Sequence, residues 1–467
     1  MIAKVTLAND VRIENPPPEI ARSLIKKYTV ANPDYYKLER LGKWTGNTPE
    51  KLALWQRDGN TLILPYGTLK DVLYALGRNA CAISSKVSHG DLRHDYASNI
   101  NLYPYQENAV KAALRSHMGI LVAPCGSGKT QIGLEIAARF GCKTLWLTHT
   151  HDLLNQSMER AKQVFGLDAR DYGTITAGKV EVGSIITFAT VQTMAKLDLS
   201  QYRNTWGCII VDEAHHVAGT PTKLMQFGKV IGSLNAAYKF GLTATPKRAD
   251  GLIACMYAYL GPKFYEVSRE DVGDKTCPVE YMQMKTGFDC DYNEFTNPDG
   301  TLNYVSLISA VCADGGRNTQ MCRVINDILG ISHARVLVLS ERVSHLTWLA
   351  KEMSGIHLQK LTLVTGSTKK SDRDMAIKML KSGECRLMFA TYQLAKEGLD
   401  IPELTHLVLA SPSKTETVIT QAVGRVARAC PGKRRGIVID FTDEMFPLSG
   451  WANKREQIYK KLGYRPR

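Results

Sequence analysis

The stretch Ala123-Pro124-Cys125-Gly126-Ser127-Gly128-Lys129-Thr130 follows directly on the apolar run Gly119-Ile120-Leu121-Val122. Gly126 and Gly128 supply backbone freedom, Lys129 a cation and Thr130 a hydroxyl, in an order that wraps a phosphate group. Successive N–H groups of such a loop, with Ser127 between the glycines, turn inward at the start of the helix KTQIGLEIAARF and make an anion cradle. Lys129 is then expected to reach the β- and γ-phosphates of a nucleotide, and the Thr130 hydroxyl to ligate Mg²⁺. Ala123 stands where the first glycine of the pattern G-x-x-x-x-G-K-[ST] belongs, so the loop is expected to turn at Pro124-Cys125 instead.

Two further clusters carry compatible chemistry. VDEAHH, Val211 to His216, ends the apolar strand Cys208-Ile209-Ile210-Val211. An acid at the carboxyl end of a strand lies near the phosphate loop of a doubly wound sheet, so Asp212 is expected to hold Mg²⁺. Glu213 is expected to polarise the attacking water at the γ-phosphate. QAVGRVARA, Gln421 to Ala429, places Arg425 and Arg428 three residues apart, on one face if the segment is helical. An arginine offered to the γ-phosphate from a second domain contributes about 10³–10⁵ in rate.

These groups need a scaffold that brings strand ends together. From Gly119 onward, GILVAP, TLWLTHT, SIITFAT, GCIIVDEA and YKFGLTAT alternate with helical patterns. ARVLVLS, LTLVTG, RLMFATY, THLVLAS and RGIVIDF then repeat the theme. Near-continuous apolar strands separated by helices predict parallel sheets covered on both faces. The fold class is therefore α/β, with two tandem parallel-sheet domains after a small α+β module. The expected divisions are 1–98 for the module, 99–265 and 266–446 for the two domains, and 447–467 for a basic C-terminal segment. About 261–330 reads as linker and entry into the second domain, with DCDYNEFTNPDG a loop or hairpin turn. In the module, hairpins are expected around Asn9-Asp10 and Asp58-Gly59, with helices at PPPEIARSLIKKYTV and TLKDVLYALGR.

Composition narrows the function classes. With 467 residues the chain can bury several cores, and its 22% charged and 44% hydrophobic residues are ordinary for a globular protein. No apolar run approaches the roughly 20 residues a membrane span needs. The N-terminus MIAKVTLAND carries no secretory pattern, and an intracellular location is expected. Eleven cysteines without a CxxC pair read as reduced thiols rather than a zinc site. A net charge of +14 favours a polyanionic partner, nucleic acid most simply.

In their order along the chain these motifs resemble those of the superfamily 2 helicases, over roughly Tyr103 to Phe441. LYPYQENAV resembles the adenine-recognition region, with Gln106 as the base-reading residue. APCGSGKT is similar to motif I and VDEAHH to motif II in its DEAH form. GLTATPKRAD, with Thr243, Ala244 and Thr245, resembles motif III; ATYQLAKEGLDIP, with Gly398 and Asp400, resembles motif V; QAVGRVAR, with Gln421, resembles motif VI. The resemblance implies two RecA-like domains with ATP between them and DNA along one face. It implies nucleic-acid contacts at Thr148 and His149 of motif Ia, at Thr190, Gln192 and Thr193, and in the second domain at Ser340, Thr365, Gly366 and Thr391. Hydroxyls and backbone N–H groups hold phosphates without reading sequence.

The region LTATPKRADG resembles the XPB-like branch, although Arg248-Ala249-Asp250 lacks the acid that branch carries in the middle. The N-terminal module resembles that of phage UvsW-type helicases, which regress forks, migrate junctions and unwind displacement loops. That likeness implies an ATP-dependent enzyme on single-stranded and branched DNA, moving 3′ to 5′. Trp44, Trp55, Tyr35 and Tyr36 are candidates for base stacking in the module, or else for its core. An RNA helicase, a restriction-type motor subunit and a non-enzymatic binding protein on the same scaffold remain open.

Overall fold

All ten apolar runs form strands that pair with parallel neighbours; nine are buried on both faces, and Leu361–Val364, at a sheet edge, is mostly half-buried. The computed structural model describes residues 3–77, 81–90, 98–124, 126–216, 221–244, 252–273, 277–356, 361–397, 399 and 401–467. It divides the chain into two compact units, Met1–Asp271 and Val272–Arg467.

The larger sheet of the first unit has eight strands. In spatial order they are Lys179–Val180, Tyr172–Thr176, Ile186–Thr190, Thr144–Thr148, Cys208–Val211, Tyr238–Thr243, Met118–Val122 and Lys263–Glu266. All pair in parallel except the short Lys179–Val180. Parallel pairing gathers the carboxyl ends of Met118–Val122, Tyr238–Thr243, Cys208–Val211 and Thr144–Thr148 side by side. Those four ends lead into the segments that resemble the phosphate loop, motif III, motif II and motif Ia, in that order.

At the opposite, amino end of this sheet the N-terminal module packs against the start of Tyr238–Thr243. Its five-stranded sheet runs Gln56–Asp58, Thr61–Pro65, Asp10–Glu14, Ala3–Leu7, Cys81–Ser85, and both expected hairpins are present. The helices Pro18–Lys27 and Leu69–Leu76 back that sheet around Val5, Val11, Ile13, Leu62, Leu64 and Val72. A small antiparallel pair, Thr29–Ala31 with Lys51–Ala53, brackets the helix Pro33–Arg40. Val30 and Leu52 of that pair pack on Leu224 and Leu252 of the larger sheet's helical layer. The Tyr66 hydroxyl donates to the Ala237 carbonyl at 2.6 Å. Gly67 lies so close to the helix Ile253–Leu260 that a Cβ there would sit 2.2 Å from the Gly261 nitrogen. Lys239, fully buried, donates to the Leu234, Ile231 and Asn9 carbonyls and lies 4.1 Å from the Tyr66 ring centre.

The second unit holds a seven-stranded parallel sheet: Leu361–Val364, Leu387–Thr391, Val336–Ser340, His406–Leu409, Gly436–Thr442, Val279–Lys285, Arg465–Pro466. Two of these strands lie outside the five apolar runs. Val279–Lys285 belongs to the stretch read as a linker, which also forms the helices Tyr304–Ala313 and Gly315–Leu329. DCDYNEFTNPDG is the expected loop, with a short 3₁₀ turn at Tyr292–Phe295. At the C-terminus, the helix Leu448–Lys461 buries Trp451, Arg455 and Tyr459 in this unit, and Arg465–Pro466 adds an edge strand. Residues 447–467 are thus part of the second unit's fold, because their apolar positions have a sheet face to cover.

Candidate nucleotide and nucleic-acid sites

Gly128 sits at φ +77° at the start of the helix Lys129–Phe140, and no side chain caps that helix end. A left-handed angle here favours glycine, and a Cβ would also lie 2.4 Å from the Gln106 amide nitrogen. Gly126 has φ +86°, so the loop turns through two glycines as expected; Cys125 lies outside the described residues. Ser127 is buried and closes the loop, its hydroxyl donating to the Pro124 carbonyl at 2.7 Å. Thr130, at the second helical position, is half-buried.

The Lys129 ammonium donates to the Ala123 carbonyl at 3.3 Å and stands 3.9 Å from the Glu213 carboxylate. Motif II is separated from the phosphate-loop strand by one strand, Tyr238–Thr243, and the chain bridges that gap with side chains. His215 lies 2.9 Å from the Thr243 hydroxyl and 3.3 Å from Glu213, tying motif II to motif III. Glu213 itself has φ +47°, a conformation L-residues rarely adopt, so the backbone is bent to present this carboxylate. Asp212 is buried. Loss of water, and then the neighbouring Glu213 charge, push its acid up to about 7. Ala244 ends the described part of motif III; Thr245 and the 248–250 triplet lie outside the described residues.

Gln106 is placed beside this loop, but its amide is engaged with backbone. Its carbonyl oxygen accepts from the Tyr103 N–H at 3.0 Å, capping its own helix, Pro104–Ser116. Its nitrogen donates to the Ser127 carbonyl at 2.9 Å, and the Tyr105 hydroxyl donates to the same oxygen at 3.0 Å. With 1% exposure, Gln106 supports the phosphate loop from beneath in this arrangement. Its position three residues into a helix was the available signal for the capping role; nothing in the spacing announced Tyr105.

Neighbouring strand ends bring the first unit's nucleic-acid candidates together. Thr148 and Thr190 are register partners, and the Gln192 amide donates to the His149 carbonyl at 3.2 Å. Thr148 and Thr190 are buried, whereas His149, Gln192 and Thr193 are half-buried. The two threonines shape the ridge: Thr148 donates to the Thr150 carbonyl, and Thr190 caps the short helix Val191–Met194. Two donors then pin the Asp212 carboxylate from behind: the Glu213 N–H at 2.9 Å and, at 3.5 Å, Ser157 from the helix His151–Phe165.

In the second unit, Thr365, Thr391 and Ser340 fall at the ends of three adjacent strands. Gly366 is exposed and Thr391 half-buried. Ser340 is fully buried. His345 lies within hydrogen-bond reach of both the Ser340 hydroxyl (3.0 Å) and the Asn318 amide oxygen (2.8 Å). The Asn318 amide nitrogen donates to the Cys312 carbonyl, so its oxygen must accept, and His345 carries its proton on Nε2. Ser340 therefore donates to Nδ1 and accepts from the Arg342 N–H, which fixes the loop rather than offering a hydroxyl to solvent. Gln421 and Arg425 lie on the helix Glu416–Val426, and Arg425 donates to the Ala395 carbonyl at 3.0 Å. That helix ends before Arg428: Ala427 is its C-cap and gives its carbonyl to the Cys277 N–H, turning the chain toward the strand that follows Cys277. The shared helix face expected for Arg425 and Arg428 is not formed. Gly398 and Asp400 lie outside the described residues.

The two units match known domains separately. Residues 99–248 match the type III restriction enzyme res subunit family, and residues 319–430 the helicase conserved C-terminal domain. A DNA 3'-5' translocase XPB2 of Sulfurisphaera tokodaii is 26% identical over 361 residues, 70% of this chain and 79% of that protein. A protein of Acanthamoeba polyphaga mimivirus that bears the name of an ATP-dependent RNA helicase is 25% identical over 391 residues, 79% of this chain and 72% of its own. Among solved structures, S. cerevisiae Dbp5 bound to RNA and ADP BeF3 is similar over 78% of this chain and 89% of that one, at a TM-score of 0.56 and 15% identity. Phage UvsW covers 100% of this chain and 99% of its own, but at a TM-score of 0.44, too loose to argue from. With a res-subunit family match in the first unit and a helicase C-terminal domain in the second, and with the fold that Dbp5 shares, the chain is a superfamily 2 helicase, a nucleic-acid-dependent, ATP-using enzyme built on two RecA-like domains.

Proposed function

We propose that this enzyme is an ATP-driven DNA translocase that acts on branched DNA, moving 3′ to 5′ along one strand. Four features support the nucleotide half of this reading: a glycine loop, an uncapped helix start, one ammonium and two carboxylates. That donor set fits a nucleotide with Mg²⁺. Gly126, Ser127, Gly128 and Lys129 hold the phosphates, and Thr130 and Asp212 hold the metal, which withdraws charge from the phosphates when bound. Glu213, next to His215, orients the attacking water. Gln421, Arg425 and Arg428 act on the γ-phosphate charge from the second RecA-like domain during turnover. Thr148, His149, Thr190, Gln192 and Thr193, with Thr365, Gly366 and Thr391, track the phosphates of one strand. Ser340 contributes by holding its loop.

The observation that carries the branched-DNA reading is the seat of the N-terminal module. It is built into the first unit through Lys239, Tyr66 and Gly67, so whatever it grips moves with the motor domain. Of its four candidate aromatics, Trp55 is partly buried and donates to Thr29, and Tyr35 and Tyr36 pack edge to face. Trp44 is 86% exposed, laid across Gly46 with the rest of the indole free to stack on a base. The S. tokodaii relative, named as a DNA 3'-5' translocase, supports the polarity.

The test follows a labelled four-way DNA junction with ATP and Mg²⁺, with the Glu213→Gln protein as blank. ATP-dependent conversion to two-arm products by the unaltered protein alone is the expected result. Failure of conversion, with ATPase stimulated by RNA and not by DNA, overturns it in favour of a second reading as an RNA helicase. The name of the mimivirus relative favours that alternative, and phosphate contacts do not distinguish the two nucleic acids.

A further inference from the structure

The helix His151–Phe165 begins at the nucleic-acid ridge and passes behind the nucleotide site. Its first turn is fixed by Thr150, which caps it and accepts from the Leu153 N–H, while the Thr148 hydroxyl donates to the Thr150 carbonyl. The Gln192 amide holds the adjoining His149 carbonyl. Further along, the buried face of this helix runs Leu154, Ser157, Ala161, Val164 and Phe165. Ser157 is the one polar residue on that face and is 3% exposed. A helical serine commonly returns its hydroxyl to the carbonyl four residues back. Ser157 instead directs it out of the helix, 3.5 Å from the Asp212 carboxylate. Asp212 takes the Glu213 N–H on its other oxygen, so Ser157 is what orients the remaining one.

We propose that Ser157 is a positioning residue that couples nucleic-acid binding to nucleotide binding. This rests on the ATP-driven reading above. A strand seated on His149, Gln192 and Thr193 presses on the cap of the helix, and the helix transmits that displacement to Asp212 through one hydrogen bond. The path is short and contiguous: ridge, cap, two helical turns, hydroxyl, carboxylate. No residue on it other than Ser157 joins the helix to the acid by a polar contact among the described residues. Coupling free energies of this kind change by about 0.5–2 kcal/mol when an intermediate residue is altered, or roughly 2- to 30-fold in a ratio. Because coupling is reciprocal, DNA should tighten the nucleotide by the factor by which the nucleotide tightens DNA.

The experiment measures binding of a fluorescent ATP analogue with Mg²⁺, with and without a saturating single-stranded DNA oligonucleotide, in unaltered, Ser157→Ala and Ser157→Thr proteins. DNA-stimulated and unstimulated ATP turnover are measured alongside, and thermal melting checks that each variant is folded. In Ser157→Ala the DNA-induced tightening should fall about fivefold or more, and the stimulation ratio with it, while DNA affinity without nucleotide is retained. Ser157→Thr, which keeps the hydroxyl, should restore both. Equal coupling in Ser157→Ala and unaltered protein overturns the proposal and leaves the helicase reading standing. If the unaltered protein shows no stimulation by any nucleic acid, the helicase reading itself falls, and this proposal with it.

Discussion

At the carboxyl end of the first sheet, Lys129 and Glu213 stand 3.9 Å apart, beside a buried Asp212 whose charge is opposed by its neighbour. At the carboxyl end of the second sheet, Arg317 meets Asp443 at 2.9 Å and Arg455 meets Asp440 at 2.9 Å, with all four side chains buried. Arg317 also donates to the Ala410 carbonyl, and Thr286 to Asp443. Asp440 takes further bonds from Tyr459 and Gln283. Burial alone would lower the Arg455 guanidinium; Asp440 outweighs it and holds it above its ordinary value. Two parallel sheets of the same design thus finish differently. One leaves its charges mismatched, as the proposed nucleotide site requires, and the other closes its charges on one another and staples its helices to its strands. The first pattern fits the proposed nucleotide site, and the second is that of a support.

The largest effect should come from breaking the support. Asp443→Ala leaves the buried Arg317 guanidinium without its carboxylate, a change that costs about 3–5 kcal/mol. In urea denaturation, the transition of the second unit should move to lower urea while that of the first stays in place. A shift below about 1 kcal/mol would mean that Arg317 is relieved by water and that the two sheet ends differ less than their geometry suggests.

The converse substitution in the first unit should cost activity and no stability. Glu213→Gln removes the negative charge that opposes Asp212, and it retains the side-chain shape. Turnover should drop by about 10²–10⁴, whereas the melting temperature without nucleotide should stay or rise. A fall in stability would show that Glu213 supports the fold, and would put both sheet ends in one class.

How much of this was legible in the chain depended on where the signal lay. Runs such as CIIV and VLVLS are buried on both faces, so their apolar composition was enough to locate them. VEYMQMK buries only Val279 and Tyr281 between a long strand and a two-residue edge, and its glutamate and glutamine hid it among linker residues. The segments read as the phosphate loop and motif II stand out in the chain because phosphate chemistry restricts residue types at fixed spacing, and both follow strands of one parallel sheet. The end of the helix before Arg428 was not, since it depends on a hydrogen bond from Cys277, which is remote in sequence. Ser157, Tyr105 and the fully buried state of Ser340 escaped for the same reason. A serine's partner is set by tertiary packing, which no local pattern encodes.

Lys239 was hidden in the same way, inside the apolar run YKFGLTAT, and it sharpens the comparison from the opposite end of the first sheet. Burial pushes its ammonium down to about 7, although Asp10 partly offsets this. A folded value near 7 against an unfolded value near 10.5 means that the unfolded chain binds more protons between those limits. The penalty for burying the charge is therefore fully present below pH 7 and is relieved as the pH rises toward 10. Relative to Lys239→Met, which has no proton to lose, unaltered protein should gain stability between pH 7 and 9 by at most about 1.4 kcal/mol per pH unit. Melting of both proteins across that range reads the difference. Parallel pH curves would mean that the ammonium stays charged throughout, held by the Leu234, Ile231 and Asn9 carbonyls and the Tyr66 ring. The module would then be fastened by a permanent cation, as Arg317 and Arg455 fasten the second unit. Diverging curves would make the closed end of the first sheet, like its open end, a place where a charge is kept at a cost.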